Sequence, residues 1–275
     1  MKLLDIFIFF TIALIFLHIR KHRKTSNDME TLIFEGDRKD KLEIMCDFKQ
    51  PIFFKINTEN ENLIDKCNYD SIQKLGPGHI GMDFIKERGL SSFFENDFLR
   101  PSLNWFENRF TEYSILTESI GYSYDISYRH YFLVTQGSAI VTLIPPDRTR
   151  SLKFKKDYYE MKFRYKGEID SEKTLPVELK TGHCIYIPPL WGFKITLEEK
   201  TSVIEFKYKT LMNILAFTDY FGLHFLQKLN TKYRFKNTIL KQYNETSGEP
   251  DREPDGETDR EPITESIAEP NKSIV

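Results

Sequence analysis

Cysteine is scarce in this chain, and the three cysteines present, Cys46, Cys67 and Cys184, are widely separated in the sequence. An odd, small number without close spacing argues against a disulfide framework and against a zinc site built from thiolates. Cys184 falls inside an apolar stretch, where cysteine usually behaves as a small core residue. The cysteine content therefore indicates a protein of a reducing compartment.

A large excess of charge of either sign is also absent. The formal net charge is −2, from 39 Lys and Arg against 41 Asp and Glu. Nothing global therefore indicates nucleic-acid binding, and we expect no nucleic-acid partner. The near balance conceals an asymmetry, because the first 24 residues are basic and roughly the last 30 are acidic. The two ends of the chain thus differ in kind from the region between them.

Glycine-rich loops of the kind that bind nucleotide phosphates are missing. Gly76-Pro77-Gly78 brings two glycines together, but a phosphate-binding loop needs a following Gly-Lys-Ser/Thr or a longer glycine spacing, and both are absent. The stretch is typical of a turn instead. The sequence therefore gives no support to a nucleotide-binding function.

One long hydrophobic run is present, and it lies at the N-terminus. From Leu3 to Ile19 nearly every residue is apolar, and a spanning helix needs about 20 such residues, with roughly 17 as the lower limit. A cleaved signal peptide would need positive charge before the run and a small-residue cleavage site after it, but only Lys2 precedes the run and no Ala-x-Ala follows. A buried core helix is disfavoured because the run has no polar face. We expect residues 1–24 to form an uncleaved transmembrane anchor with a basic flank.

The basic cluster at residues 20–24 predicts how this anchor is oriented. Basic residues stay on the cytoplasmic side of a membrane, so the body of a single-pass protein should face the cytosol. The same cluster is suited to binding anionic lipid. The glycosylation motifs at Asn244 and Asn271 would then be unused. A viral source of the chain would make it a component of the virion membrane.

The rest of the sequence divides by composition and periodicity. Residues 25–38 are predicted to be a polar linker, residues 39–209 a folded domain and residues 210–243 helices. Residues 244–275 are acidic, punctuated by proline and unable to form a core, which predicts a disordered tail. The tail is either simply solvated or a flexible tether for a basic partner.

The domain is predicted to be mainly β with flanking helices. Residues 39–48 have helical spacing, whereas short apolar runs bounded by glycine and proline recur from residue 49 onward. Residues 122–135 predict one long aromatic strand that ends at a turn on Gly137, and residues 139–146 predict a strand with period-two apolar residues. Many short strands with regular turn signals indicate a sandwich or a barrel.

The stretch from Thr181 to Ile195 carries a more specific pattern. Gly182 predicts a tight turn, and Pro188-Pro189 separates two apolar strands, the second of which opens at Trp191. This stretch resembles the "G-D-x-x-(Y/F)-I-P-P-x-W-W-H" run of the JmjC and cupin-like family of Fe(II)/2-oxoglutarate hydroxylases. The resemblance extends over roughly residues 42–217 and implies a double-stranded β-helix, or jelly roll, for the domain.

The resemblance also implies where an iron site would lie. In the family, a His-x-Asp/Glu pair and a late histidine bind Fe(II), and a lysine binds 2-oxoglutarate. Carried over residue by residue, the first histidine becomes Ser123 and the late histidine becomes Phe193, whereas the carboxylate is kept as Asp125. The lysine becomes Ala139, and an inward-facing asparagine of the family becomes His130. Two of three metal ligands and the co-substrate cation are thus missing together.

This pattern is that of a site that has lost its chemistry. We therefore predict no catalytic, cofactor-binding or metal-binding residue, and we regard Asp125 and His130 as candidates for lining a pocket. The resulting hypothesis is a membrane-anchored JmjC/cupin-like domain that acts in binding or structure with an unknown protein partner. One alternative is an active Fe(II)/2-oxoglutarate-dependent protein hydroxylase whose rearranged metal site uses Asp125, His130 and His183. Another is a metal-free jelly roll that binds a small molecule.

The C-terminal helices are open to two interpretations. In the resembling family such helices often carry a dimer interface, which would imply a homodimer formed through residues 210–243. Alternatively, these helices cap one end of the barrel.

Overall fold

The computed structural model describes residues 3–56, 69–70, 79–81, 85–86, 98–102, 110–158 and 161–229. Several predictions fall outside these ranges: those for Cys67, for the turn at Gly76-Pro77-Gly78, for residues 230–243 of the C-terminal helices and for the tail at residues 244–275.

The described residues contain thirteen strands. In chain order they are β1 Leu32–Phe34, β2 Ile52–Lys55, β3 His79–Ile80, β4 Phe110–Leu116, β5 Ile120–Tyr124, β6 Arg129–Gln136, β7 Ser138–Ile144, β8 Lys155–Asp157, β9 Lys162–Arg164, β10 Leu175–Lys180, β11 His183–Tyr186, β12 Gly192–Leu197 and β13 Ser202–Lys209. The first of two sheets has the strand order β1-β2-β11-β6-β13-β4-β3, and the second has the order β10-β7-β12-β5-β9-β8.

The helices flank these sheets. Those within the described ranges are α1 Leu3–Arg23, α2 Lys39–Asp47, α3 Pro146–Ser151, α4 Leu211–Ala216 and α5 Thr218–Leu229, with a 3-10 turn at Ser171–Lys173. Apart from the parallel pair β1–β2, every pairing between the strands that the structure describes is antiparallel. The prediction of a mainly β domain with flanking helices is therefore confirmed, and the two sheets are compatible with a β-sandwich.

Eight central strands pair as a nested antiparallel hairpin. The outermost pair is β4 with β13, followed by β5 with β12, β6 with β11 and β7 with β10. Alternate pairs belong to different sheets, so the chain crosses from one sheet to the other at nearly every turn. Contacts between strands far apart in sequence therefore dominate the fold.

The main apolar core lies between the two sheets. Phe132 and Val134 of β6 and Val203 of β13 pack from one side against residues such as Val141 and Phe193 from the other. A second apolar cluster covers the opposite face of the seven-stranded sheet, where α2 packs. Strands β6 and β13 are consequently buried on both faces, which is unusual for antiparallel strands.

The single long strand predicted for residues 122–135 is wrong in one respect. The chain forms β5 in the six-stranded sheet, leaves it at Asp125, and re-enters the seven-stranded sheet at Arg129. Ser127 N–H donates to Asp125 Oδ1 at 2.6 Å, a local turn that competes with continued strand pairing. The crossover brings Asp125 to the end of the sandwich, between the sheets.

Helix α1 is held to the domain near its C-terminal end. Its large apolar side chains from Ile6 to Leu17 are mostly exposed. At the other end, Lys49 Nζ donates to the carbonyl oxygens of Lys21 at 2.8 Å and His22 at 2.7 Å, which satisfies carbonyl groups of the last helical turn. Burial lowers the pKa of Lys49 to about 8. No helix in the described part of the chain combines the length and the apolarity needed to cross a membrane.

Candidate functional site

Four ionisable side chains meet between the sheets at one end of the sandwich. They are Asp125, His130, Glu205 and Lys207, and we refer to them as the buried ion cluster. Lys207 Nζ lies 3.1 Å from Asp125 Oδ2 and 3.0 Å from Glu205 Oε1. His130 Nε2 lies 2.8 Å from the same Glu205 oxygen. One ammonium group therefore bridges two carboxylates, and one of these also binds an imidazole.

Strand register explains why three members of this cluster are neighbours. His130 of β6 lies directly opposite Lys207 of β13, so the two side chains share one face of the sheet. Glu205 is two residues before Lys207 and points to the same face, because side chains alternate along a strand. On the far side of β13, Ser114 of β4 lies opposite Glu205, and its hydroxyl donates to Glu205 Oε2.

Asp125 reaches the cluster from the other sheet. It directly follows β5, and its backbone carbonyl accepts a hydrogen bond from Leu190 N–H at 2.8 Å. The Asp125–Lys207 ion pair therefore connects the crossover after β5 with β13 across the sandwich. This contact is electrostatic in a region where the rest of the intersheet packing is apolar.

Burial makes the charges in this cluster interdependent. The side chains of Glu205, Asp125 and Lys207 are 7 %, 13 % and 21 % exposed. Burial opposes ionisation of Asp125, but the charge of Lys207, together with smaller contributions from His130, Lys209 and the hydrogen bond from Ser127, outweighs it and holds the pKa of that carboxyl well below its usual range. The same balance lowers the pKa of Glu205. The two carboxylates in turn raise the pKa of Lys207 despite its burial. Lys207 is therefore a fixed cation at neutral pH and is unsuited to act as a nucleophile.

Apolar rings close the inner side of the cluster. The ring centre of His130 lies 4.5 Å from that of Phe132 and 5.2 Å from that of Phe193. His130 Nδ1 is buried and has no hydrogen-bond partner among the described residues. The imidazole is therefore enclosed by Glu205 on one side and by phenylalanine on the other.

The residues singled out from the sequence fall into two groups. Asp125 and His130 both belong to the buried ion cluster. Ser123 and Phe193 are direct cross-strand partners on β5 and β12, but the Ser123 hydroxyl donates to the carbonyl of Phe163 at 2.9 Å. Ala139 is buried in the core on β7, opposite Leu197 and Leu179.

His183 does not join the cluster. It begins β11, where its Nδ1 accepts a hydrogen bond from Lys180 N–H at 3.1 Å and its ring contacts Phe53. Strand β11 pairs with β2 at this point, on the other side of β6 from β13. The rearranged three-ligand site of Asp125, His130 and His183 is therefore not assembled.

The residues at this end of the sandwich do not fit Fe(II). A site of the kind the resemblance implies needs two imidazoles and one carboxylate on one side of the metal. Serine and phenylalanine hold the two histidine positions, and the remaining carboxylate is already bound by an ammonium group. Within the described ranges, no three His, Cys, Asp or Glu side chains are grouped closely enough to hold a metal ion.

Glu205 and Lys207 hold the cluster together but were not predicted from the sequence. Residues 201–208 alternate between apolar and polar, a pattern that normally places the polar residues in solvent. Here the apolar residues Ile204, Phe206 and Tyr208 face the second apolar cluster, under α2. The polar residues Glu205 and Lys207 face the other sheet. The available signal was the presence of two opposite charges, Glu205 and Lys207, two residues apart and therefore on the same face of one predicted strand.

A surface groove lies elsewhere on the domain. It has a volume of about 560 Å³ and lies where β1 approaches α2, lined by Ile33, Phe34, Glu35, Lys41, Ile44 and Met45. None of these residues belongs to the buried ion cluster. The groove is therefore separate from the candidate site.

No protein-family model matches this chain, and a search of curated proteins finds none that matches.

Proposed function

We propose that this chain is a membrane-anchored jelly-roll domain of the JmjC/cupin-like type that has lost Fe(II)/2-oxoglutarate catalysis and acts in binding or structure. The observation that carries the proposal is the bridging position of Lys207. Its ammonium contacts Asp125 and Glu205 in the part of the domain where the resemblance implies a metal ion. A protein cation thus takes the electrostatic role that a metal would have.

The jelly-roll assignment is supported by the strand pairing. Eight strands form the pairs first with last, second with seventh, third with sixth and fourth with fifth, and these pairs alternate between two sheets. A long hairpin wrapped over a common core gives this order, which characterises jelly rolls. The strands added at the edges, β1–β3 and β8–β9, leave the central eight unchanged.

The loss of metal chemistry is supported by the residues that replace the ligands. Ser123 and Phe193 are adjacent across β5 and β12, with Asp125 two residues beyond Ser123. The spacing of a three-ligand site is thus retained while two ligands are lost. Phe193 is buried against His130 and Phe132, and burial of such a ring contributes about 1.5–3 kcal/mol to stability. The position of the late histidine has become part of the core.

The membrane anchor is supported by the surface of α1. Side chains such as Phe7, Phe9 and Phe10 are more than half exposed on all sides of the helix, an arrangement that water disfavours and a bilayer accepts. The apolar run from Leu3 to Ile19 would extend about 26 Å as a helix. The basic residues that follow are suited to an anionic cytosolic surface.

Metal binding tests the proposal. The full chain is purified in detergent and titrated anaerobically with Fe(II), and with Mn(II) followed by electron paramagnetic resonance, each with and without 2-oxoglutarate. We expect no retained metal in the wild type. Lys207→Met should bind Mn(II) weakly, because it frees two carboxylates without supplying imidazole ligands. Lys209→Met is the matched control, since Lys209 is on the same strand but pairs with Glu112 at 2.6 Å.

Stoichiometric metal in the wild type together with 2-oxoglutarate binding would establish the rearranged hydroxylase instead. A folded Lys207→Met protein that binds no Mn(II) would show that the Lys207 ammonium does not take the place of a metal cation. If Lys207→Met fails to fold, the wild-type titration alone decides between an active metal site and one that has lost metal binding.

A further inference from the structure

Exposed apolar side chains are concentrated on three helices. Among the described residues, 21 large apolar side chains are exposed, of which ten lie on α1 and seven on α4 and α5. The seven are Leu211, Met212, Leu215, Leu223, Phe225, Leu226 and Leu229. We call them the C-terminal apolar surface. A surface of this kind needs a partner, because isolated apolar residues are common on proteins but continuous groups of them are not.

The spacing of these residues gives each helix one apolar side. On α5, Leu223, Leu226 and Leu229 recur every three residues and are 42 %, 62 % and 63 % exposed. Other α5 side chains face the domain: the Tyr220 ring packs on Phe163, and His224 Nδ1 lies 2.7 Å from the carbonyl oxygen of Tyr158. One side of α5 thus packs on the domain, and the exposed apolar residues lie on its other side.

The C-terminal apolar surface adjoins the base of α1. Arg23, the last residue of α1, donates from Nε to the carbonyl of Ala216 at 2.5 Å and forms an ion pair with Asp219. The Arg23 guanidinium also lies over the Phe217 ring, 5.2 Å from its centre. The junction of α4 and α5 is therefore attached to the basic last turn of α1, one turn beyond its apolar part.

A basic band separates the apolar part of α1 from the domain. Arg20, Lys21 and Lys24 are exposed in this band, and Lys228 lies in the last turn of α5. Positive charge beside an apolar surface matches the boundary of an anionic bilayer, where lipid headgroups meet acyl chains. A symmetric contact with a second copy would instead bring two such basic bands together.

We infer that the C-terminal apolar surface is a second membrane contact, inserted into the headgroup and acyl boundary of the anionic leaflet that α1 enters. The inference rests on the proposed membrane anchor. Insertion of such a surface reaches roughly 5–10 Å below the headgroups, shallower than the middle of α1. Two attachments would fix the tilt of the domain on the membrane, whereas α1 alone would leave the domain free to rotate.

Depth-dependent fluorescence quenching tests the inference. The full chain carrying Cys67→Ser receives a single cysteine at Leu226, at Phe10 or at Ile140, each labelled with an environment-sensitive dye; Cys46 and Cys184 are buried. The labelled proteins are reconstituted in vesicles of phosphatidylcholine and phosphatidylserine with bromine at shallow or deep acyl positions. Position 10 reports the anchor, and position 140, exposed on β7, is the matched control outside the three helices.

We expect several-fold stronger quenching at position 226 than at position 140, with shallow bromines most effective, and deep bromines most effective at position 10. Quenching at position 10 without quenching at position 226 would overturn the second contact and leave the anchor intact. Absence of quenching at position 10 would overturn the anchor itself. A dye at position 226 that is shielded from water but unquenched by lipid would indicate a second copy of the chain and would overturn the inference. Equal quenching in vesicles lacking phosphatidylserine would remove the role of the basic band.

Discussion

At the scale of single residues, the buried ion cluster places one ammonium group, that of Lys207, between the two carboxylates of Asp125 and Glu205. Removing one partner from a buried pair usually destabilises a protein by several kcal/mol, because a charge is left without compensation. Replacing a whole cluster with neutral side chains of similar shape is often much less harmful. The contribution of these residues is therefore best measured through protonation, which titrates the charges without changing the packing.

Stability below pH 5 tests the cluster. Asp125 and Glu205 have lowered pKa values in the folded state, so their stabilisation is complete above the unfolded-state values near 4 and is lost as pH falls toward the folded-state values. Two such groups contribute a slope of up to about 2.7 kcal/mol per pH unit in that window. The raised pKa of Lys207 should cause loss of stability only on the alkaline side, above about pH 10.

The measurement is urea unfolding of the full chain in detergent, followed by tryptophan fluorescence over a pH series. The triple variant Asp125→Asn, Glu205→Gln, Lys207→Met should show a shallower acid-side slope than the wild type. Equal slopes would mean that the two carboxylates are not held ionised by Lys207.

At this scale the sequence singled out two members of the buried ion cluster and missed the other two. Asp125 and His130 were selected as pocket-lining candidates by a resemblance that spans neighbouring strands, and both lie in the cluster. Glu205 and Lys207 belong to no motif. Their burial depends on a second layer that covers the far face of β13, and alternation along one strand cannot reveal such a layer.

At the scale of elements, the two tight turns of the core use glycine for different reasons. Gly137 between β6 and β7 and Gly182 before β11 both have positive φ, +78° and +83°. A Cβ at Gly182 would meet nothing within 4 Å, but a Cβ at Gly137 would lie 3.0 Å from Thr201 Cα and closer still to its hydroxyl. That hydroxyl bonds both the N–H and the carbonyl of Ser138, so it cannot move aside without breaking the turn.

Alanine substitutions should separate these two effects. Gly182→Ala should cost about 1–2 kcal/mol, which is the conformational strain of the left-handed region alone. Gly137→Ala should cost about 2–4 kcal/mol, because steric overlap with Thr201 adds to the same strain. The urea midpoints of the two variants provide the measurement. Equal losses would contradict the close approach of Thr201 to the turn.

Element prediction was reliable where turn chemistry and periodicity agreed. Helix α2 at Lys39–Asp47 and strand β7 at Ser138–Ile144 lie close to their predicted positions. The break between β5 and β6 was missed, since Ile126 and Tyr128 continue the aromatic and aliphatic pattern with no glycine or proline to interrupt it. Strand β1 lies within residues 25–38, predicted as a linker, and its three residues owe their structure to pairing with β2.

At the scale of the whole molecule, the arrangement of charge along the chain bears on the orientation that we propose for the protein in a membrane. The basic residues at 20–24 follow the apolar run immediately, and the body is attached directly behind them through Arg23 and Lys49. Residues this close to a membrane helix control its orientation more strongly than distant loops do. Under the proposed anchor, the orientation of the domain would be set within the same short segment that fixes the domain to the helix.

Translation into endoplasmic reticulum membranes tests this orientation. In the wild type, the motifs at Asn244 and Asn271 should remain unglycosylated, and protease added outside the vesicles should digest the body, because the basic flank holds it on the cytosolic side.

A charge-exchanged variant provides the control: Arg20→Gln, Lys21→Gln and Lys24→Gln, with lysines added before Leu3. Its body should enter the lumen, gain glycans removable by an endoglycosidase, and become protected from protease. Arg23 is kept in this variant because it holds the domain to α1. Glycosylated wild type would reverse the proposed orientation, and wild type that leaves the vesicles on alkaline extraction would remove the anchor.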